Sequence, residues 1–118
     1  TRMHKEDLED DIRRCWEAIR AASPEGAPVT LEQVSAKLAE HSAAEGWTLS
    51  EAEEEGQITG FVSALFLTHR GYTDLWQMEY PNGEIFLQDK WPKFDDFASI
   101  SIEIGIGPRQ ADGGGDGE

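Results

Sequence analysis

Up to Arg70 the apolar residues of this chain recur at helical intervals, and beyond Gly71 they alternate one by one. A change of period from about 3.6 to 2 predicts helices first and extended strands after them, which is the pattern of an α+β domain. In the first segment Leu8, Ile12, Cys15, Trp16 and Ile19 fall on one face of an amphipathic helix over residues 5–22, with charge on the opposite face. Ser23-Pro24-Glu25-Gly26-Ala27-Pro28 stops it. A second helix is expected from Thr30, whose hydroxyl caps the free amides while Gln33 reaches back as the other half of a capping box. Leu31, Val34 and Leu38 face inward.

A link from about Ala39 to Leu49, containing Gly46, separates this helix from the third, and its Trp47 is expected to plug an edge of the core. The third helix is expected from Ser50, with Glu53 as its capping-box partner and Glu51, Glu54 and Glu55 crowding the positive end of its dipole. Ile58, Phe61, Val62, Leu65, Phe66 and Leu67 make it apolar nearly all round, as a central helix would be. Gly56 and Gly60 recur on one face and permit close approach of another element. Gly71 is the left-handed stop.

Trp76, Met78 and Tyr80 then alternate with polar residues, and Pro81-Asn82-Gly83 marks a turn before Ile85, Phe86 and Leu87. A two-residue Asn82-Gly83 turn, the favoured register, puts Trp76, Met78, Tyr80, Ile85 and Leu87 on one face; a three-residue loop from Pro81 brings Phe86 there instead. Ile100, Ile102, Ile104 and Ile106 alternate cleanly and predict a third strand, which at a sheet edge is a candidate for pairing with a second copy. The expectation is thus three helices followed by a three-stranded antiparallel sheet in a single domain over residues 1–107. The Gly-rich acidic segment 108–118 is a tail outside it.

Charge narrows the partners. The 118 residues hold 24 acidic and 10 basic side chains, a net −14. Five of the basic residues lie among the first 22, so the excess belongs almost wholly to the rest. Such a balance argues against nucleic acid as a direct partner; the acidity serves solubility or forms an acidic face for a protein partner, a basic one in particular. The longest apolar run, Phe61 to Leu67, is far below the ~20 residues that span a bilayer. No secretory signal opens the chain, and the reading is cytoplasmic; Thr1 suggests trimming or excision from a longer protein. Cys15 lies on the apolar stripe of the first helix and reads as inert packing.

The order helix, short extended link, helix, long helix and hairpin resembles the winged-helix arrangement, a helix-turn-helix variant. The residues that carry the resemblance are Val29 before the capping Thr30, the run Thr30 to Ala39 as second helix, Ser50 to Tyr72 as third, and Leu75 to Lys90 as wing, over residues 5–90 in all. The family implies DNA binding through the third helix and the wing, by a transcription regulator. This sequence departs from that pattern: the link 39–49 is long, Glu51, Glu53, Glu54 and Glu55 would face phosphates, and the wing tip Asn82-Gly83-Glu84 has no basic residue. Winged-helix domains that bind proteins are the closer comparison.

No catalytic constellation is visible. His4, His41 and His69 are isolated, His41 and Glu45 share a helix face without further ligands, and Asp95-Asp96 are adjacent loop carboxylates. Neither metal nor cofactor is expected. The leading expectation is a non-enzymatic interaction or regulatory domain that binds a protein through Glu51, Glu53, Glu54 and Glu55 with Trp47 and Trp91, the last being the tryptophan expected to be most exposed. The alternative is a DNA-binding regulator in which Arg13, Arg14, Arg20, His69 and Arg70 gather on one side.

Overall fold

The computed structural model describes residues 5–79 and 83–105. Helix α1 (Lys5–Ala22) buries Ile12, Cys15, Trp16 and Ile19, the stripe its spacing predicts. Strand β1 (Val29–Thr30) leads directly into helix α2 (Leu31–Ala44), and Thr30 caps that helix as expected: its hydroxyl accepts from Gln33 N, and the Gln33 side chain accepts from Thr30 N at 2.8 Å. Helix α3 (Leu49–Arg70) follows after residues 45–48 alone. The link is therefore shorter than the sequence suggested, because nothing in residues 39–44 breaks a helix and the chain turns only at Gly46, whose φ is +101°.

The cap of α3 is also displaced. Thr48, rather than Ser50, accepts from Glu51 N, and Glu51, rather than Glu53, closes the box by accepting from Thr48 N at 3.0 Å. Gly71 ends the helix in the left-handed region, as its position predicts.

Strands β2 (Thr73–Gln77) and β3 (Ile85–Asp89) form an antiparallel hairpin, and β1 pairs with the other edge of β3, giving the order β1-β3-β2. Leu75 lies opposite Leu87 and Trp76 opposite Phe86. This corrects the favoured register: Leu87 and Ile85 share a face with Leu75, not with Trp76. The face assignment is that of the alternative loop, in which Phe86 joins Trp76. Two gains explain it. Leu75, Leu87 and Val29 point together into the core, and Trp76 stacks on Phe86 on the far side with ring centroids 5.8 Å apart. The turn residues 80–82 lie outside the described residues, as do His4, Ile106 and the segment 108–118.

The third strand does not form. Residues Phe97–Ile104 are helix α4, capped by Asp96, which accepts from Ser99 N at 2.7 Å, and ended by Gly105 at φ +91°. The alternating isoleucines also contain a helical pair: Ile100 and Ile104 are four apart and turn inward, leaving Ile102 67% exposed. Phe97 fixes the docking, stacked on Tyr72 at 4.5 Å and edge-on to Trp16 at 5.4 Å, while the Tyr72 hydroxyl bonds to Ser101. The proposed pairing of two copies through a strand at Ile100–Ile106 loses its basis. The architecture is α+β, with four helices and a three-stranded antiparallel sheet among the described residues. No described helix is long and apolar enough to cross a membrane.

Candidate functional site

Helix α3 meets the rest of the protein through small residues. Gly56, Thr59, Gly60, Ser63 and Ala64 are buried, with Leu67 below them. A Cβ on Gly56 would stand 2.7 Å from the Ser35 carbonyl oxygen, and one on Gly60 would stand 2.8 Å from the Ser35 hydroxyl. The two glycines thus let α2 and α3 approach backbone to backbone, as the sequence allowed. Cys15 packs here too, its thiol 4.0 Å from the Gly60 carbonyl; burial pushes the thiol up to about 12, so it is protonated and inert at neutral pH.

A helix whose small residues face the core has its large ones elsewhere. Ile58, Phe61 and Leu65, spaced by three and four, form a single stripe opposite the small residues and are 54%, 43% and 45% exposed. Val62 and Phe66 flank it, half-buried. The helix is not buried all round, contrary to expectation, because only one side of it is covered by α1, α2 and the sheet.

The four glutamates fan round the first turns at about 100° per residue. Glu51, Glu54 and Glu55, spaced by three and one, head the apolar stripe. Glu51 is held by its capping box, and the Thr48 amide lowers its carboxyl below the ordinary value. Glu54 is exposed and makes no hydrogen bond or ion pair among the described residues. Glu55 accepts from the Thr59 hydroxyl at 2.8 Å. Glu53 turns the other way, onto the rim of a cleft of about 420 Å³ between α2, α3 and the hairpin, whose rim also carries Glu32 and Glu84 and whose walls include Leu31, Ala36, Ala39 and Ile85.

Trp47 is 44% exposed rather than plugged into the core, and stands at the same end of α3, lining a small hollow with Glu55, Asp11, His41 and Glu45. His41 Nε2 lies 3.3 Å from the carboxylate of Glu45, the residue that caps the C-terminus of α2. Burial raises the Asp11 carboxyl above its ordinary value, with Glu55 adding to the effect and Arg14 opposing it. Trp91 belongs elsewhere. Its indole donates to the Gly71 carbonyl at 2.9 Å and meets Phe94 edge-on, so it is half-buried rather than the most exposed tryptophan and stands at the far end of α3, about 33 Å along a 22-residue helix from Trp47.

The structure places Glu51, Glu54, Glu55 and Trp47 at one end of α3, beside a stripe of Ile58, Phe61 and Leu65 that the sequence did not single out. The signal was present in the spacing of the small residues, which marks the buried face and leaves the large ones outside.

The arginines among the described residues are occupied. Arg13 pairs with Asp10, Arg14 with Asp11 and Arg20 with Asp89; Arg70 donates twice to Glu9 at 3.0 Å, which raises its already high pKa. Among the described residues no three metal-ligating side chains gather. No protein-family model matches this chain, and no curated protein or solved structure is significantly similar to it.

Proposed function

We propose that this chain is a winged-helix-type domain turned to protein binding, which receives a basic partner on the outward face of α3. One observation carries the reading: a continuous apolar stripe, Ile58-Phe61-Leu65, lies uncovered and is headed by the carboxylates of Glu51, Glu54 and Glu55. Apolar groups bordered at one end by charge of one sign favour a protein partner with the opposite sign there. The order α1-β1-α2-α3-β2-β3, with β1 completing the sheet beside the hairpin, supports the winged-helix part of the reading. The DNA-binding alternative is disfavoured by the glutamates at the head of α3, by Glu84 beside the hairpin turn, and by the pairing of Arg13, Arg14, Arg20 and Arg70 with carboxylates.

A direct test uses isotope-labelled protein titrated, at about 0.1 M salt, with a synthetic amphipathic peptide carrying leucines at helical spacing and lysines, and separately with duplex DNA. The expected outcome is shifted amides at Ile58, Phe61 and Leu65 with the peptide and none with DNA. The variant Phe61→Asp, exposed enough to leave the fold intact, loses the peptide. Salt-sensitive DNA binding mapped to α3, or peptide binding indifferent to Phe61→Asp, overturns the reading.

A further inference from the structure

We infer that the segment received by α3 is an amphipathic α-helix lying antiparallel to it, with lysine or arginine in its last turn above Glu51 and Glu54. The inference rests on the docking reading above and adds the form, direction and charge placement of the partner.

The form follows from hydrogen bonding. The backbone groups of α3 are satisfied within the helix, so its outward face offers no ladder to an extended strand, and a strand laid across Phe61 would lose water from N–H and C=O groups that gain no partner. A helix carries its own backbone bonds and needs only side-chain contact. From Glu51 to Leu65 the face is about 21 Å long, the length of a helix of about 14 residues.

The direction follows from charge. The stripe is acidic at its N-terminal end and ends at the exposed His69, Arg70 beside it being taken by Glu9. An antiparallel partner brings its C-terminus over the glutamates. Its own terminal carbonyls favour lysine or arginine in that turn, and the same cations meet Glu51 and Glu54, so the two preferences agree. A parallel partner would bring its N-terminus there, where its dipole favours acidic residues, and the preferences would conflict.

A second copy of the chain fits the shape but not the charge. Two α3 helices crossed about Phe61 and Val62 would set Ile58 against Leu65 and Glu54 against His69, a matched apolar seam with one imidazole for each Glu54 and none for Glu51. Each copy carries −14, however, and the close approach of two such surfaces is opposed throughout.

Two synthetic peptides of about 18 residues and identical composition test this, one with three lysines in its last turn and the other with them in its first. A spin label at the C-terminus of each reports direction through broadening of α3 amides. The last-turn peptide is expected to bind about three- to tenfold more tightly, to lose that advantage in Glu51→Gln/Glu54→Gln, and to broaden residues 51–55. Gln at position 51 keeps the cap, as Gln33 does in α2. Equal affinity of both peptides at α3, or broadening near Arg70 instead, overturns this inference and leaves docking standing. Failure of both peptides to shift α3 overturns the docking reading itself. A dimeric mass that Phe61→Asp converts to monomer assigns the face to a second copy and overturns the inference as well.

Discussion

Arg20 shows how much one side chain can hold. Its guanidinium donates to the carboxylate of Asp89 and to the carbonyl of Trp91 while lying over the ring of Trp16, and Asp89 also accepts from the Trp91 amide at 2.8 Å. Asp89 is buried, so the charge of either partner is costly without the other. Replacing either Arg20 or Asp89 by alanine is expected to cost about 3–5 kcal/mol, and the pair Arg20→Met/Asp89→Leu to recover most of it. Urea unfolding at neutral pH measures this; a loss under about 1 kcal/mol in both single variants would contradict a buried clasp. None of this was legible in the sequence, where Arg20 counts as one cation on a polar helix face and Trp91 as a tryptophan among loop residues. The pairing spans 69 and 71 positions, and local spacing carries no information about partners that distant.

At the scale of elements, legibility tracks how local the determining interaction is. The capping box of α2 is closed by residues three apart, and the sequence reveals it to the residue. The same logic places the cap of α3 two residues late, because Ser50 and Glu53 satisfy the same spacing as Thr48 and Glu51. Isoleucines 100, 102 and 104 fit either period, and only Tyr72 and Trp16, far away in the chain, decide for the helix. The packing of α2 on α3 makes a sharp prediction. Alanine at Gly56 gains about 1 kcal/mol of helix propensity but sets a methyl 2.7 Å from a backbone oxygen, so a net loss of about 1–3 kcal/mol is expected. At Gly60 the obstacle is the Ser35 hydroxyl, which Ser35→Ala removes, so Gly60→Ala/Ser35→Ala is expected to be more stable than Gly60→Ala alone. Thermal unfolding of the four proteins checks it, and a tolerated Gly56→Ala would contradict the close approach.

Over the whole molecule the arrangement of charge matters more than its total. The arginines of α1 and α3 are spent in pairs, and the surplus carboxylates include a set at the head of an uncovered apolar stripe. Self-repulsion of −14 charges is expected to make the domain more stable in about 1 M than in about 0.01 M sodium chloride, as the Debye length falls from about 30 to about 3 Å. A rise of several degrees in the unfolding midpoint corresponds to about 1 kcal/mol; a midpoint that falls with salt would show that the ion pairs outweigh the repulsion. The acidic half of the candidate site was legible because charge is counted by composition, whereas the apolar half depends on which side of α3 the glycines face. Helix α4 carries a different consequence. Eight residues are too few for a helix to persist alone, and β-branched residues at alternate positions prefer extended backbone. Its helicity is therefore conditional on docking. While Phe97 sits between Trp16 and Tyr72 the segment is held as helix; undocked, its alternating β-branched residues would favour extended backbone open to pairing with another strand. Undocking Phe97 would therefore release a β-prone segment that the fold otherwise holds as a helix.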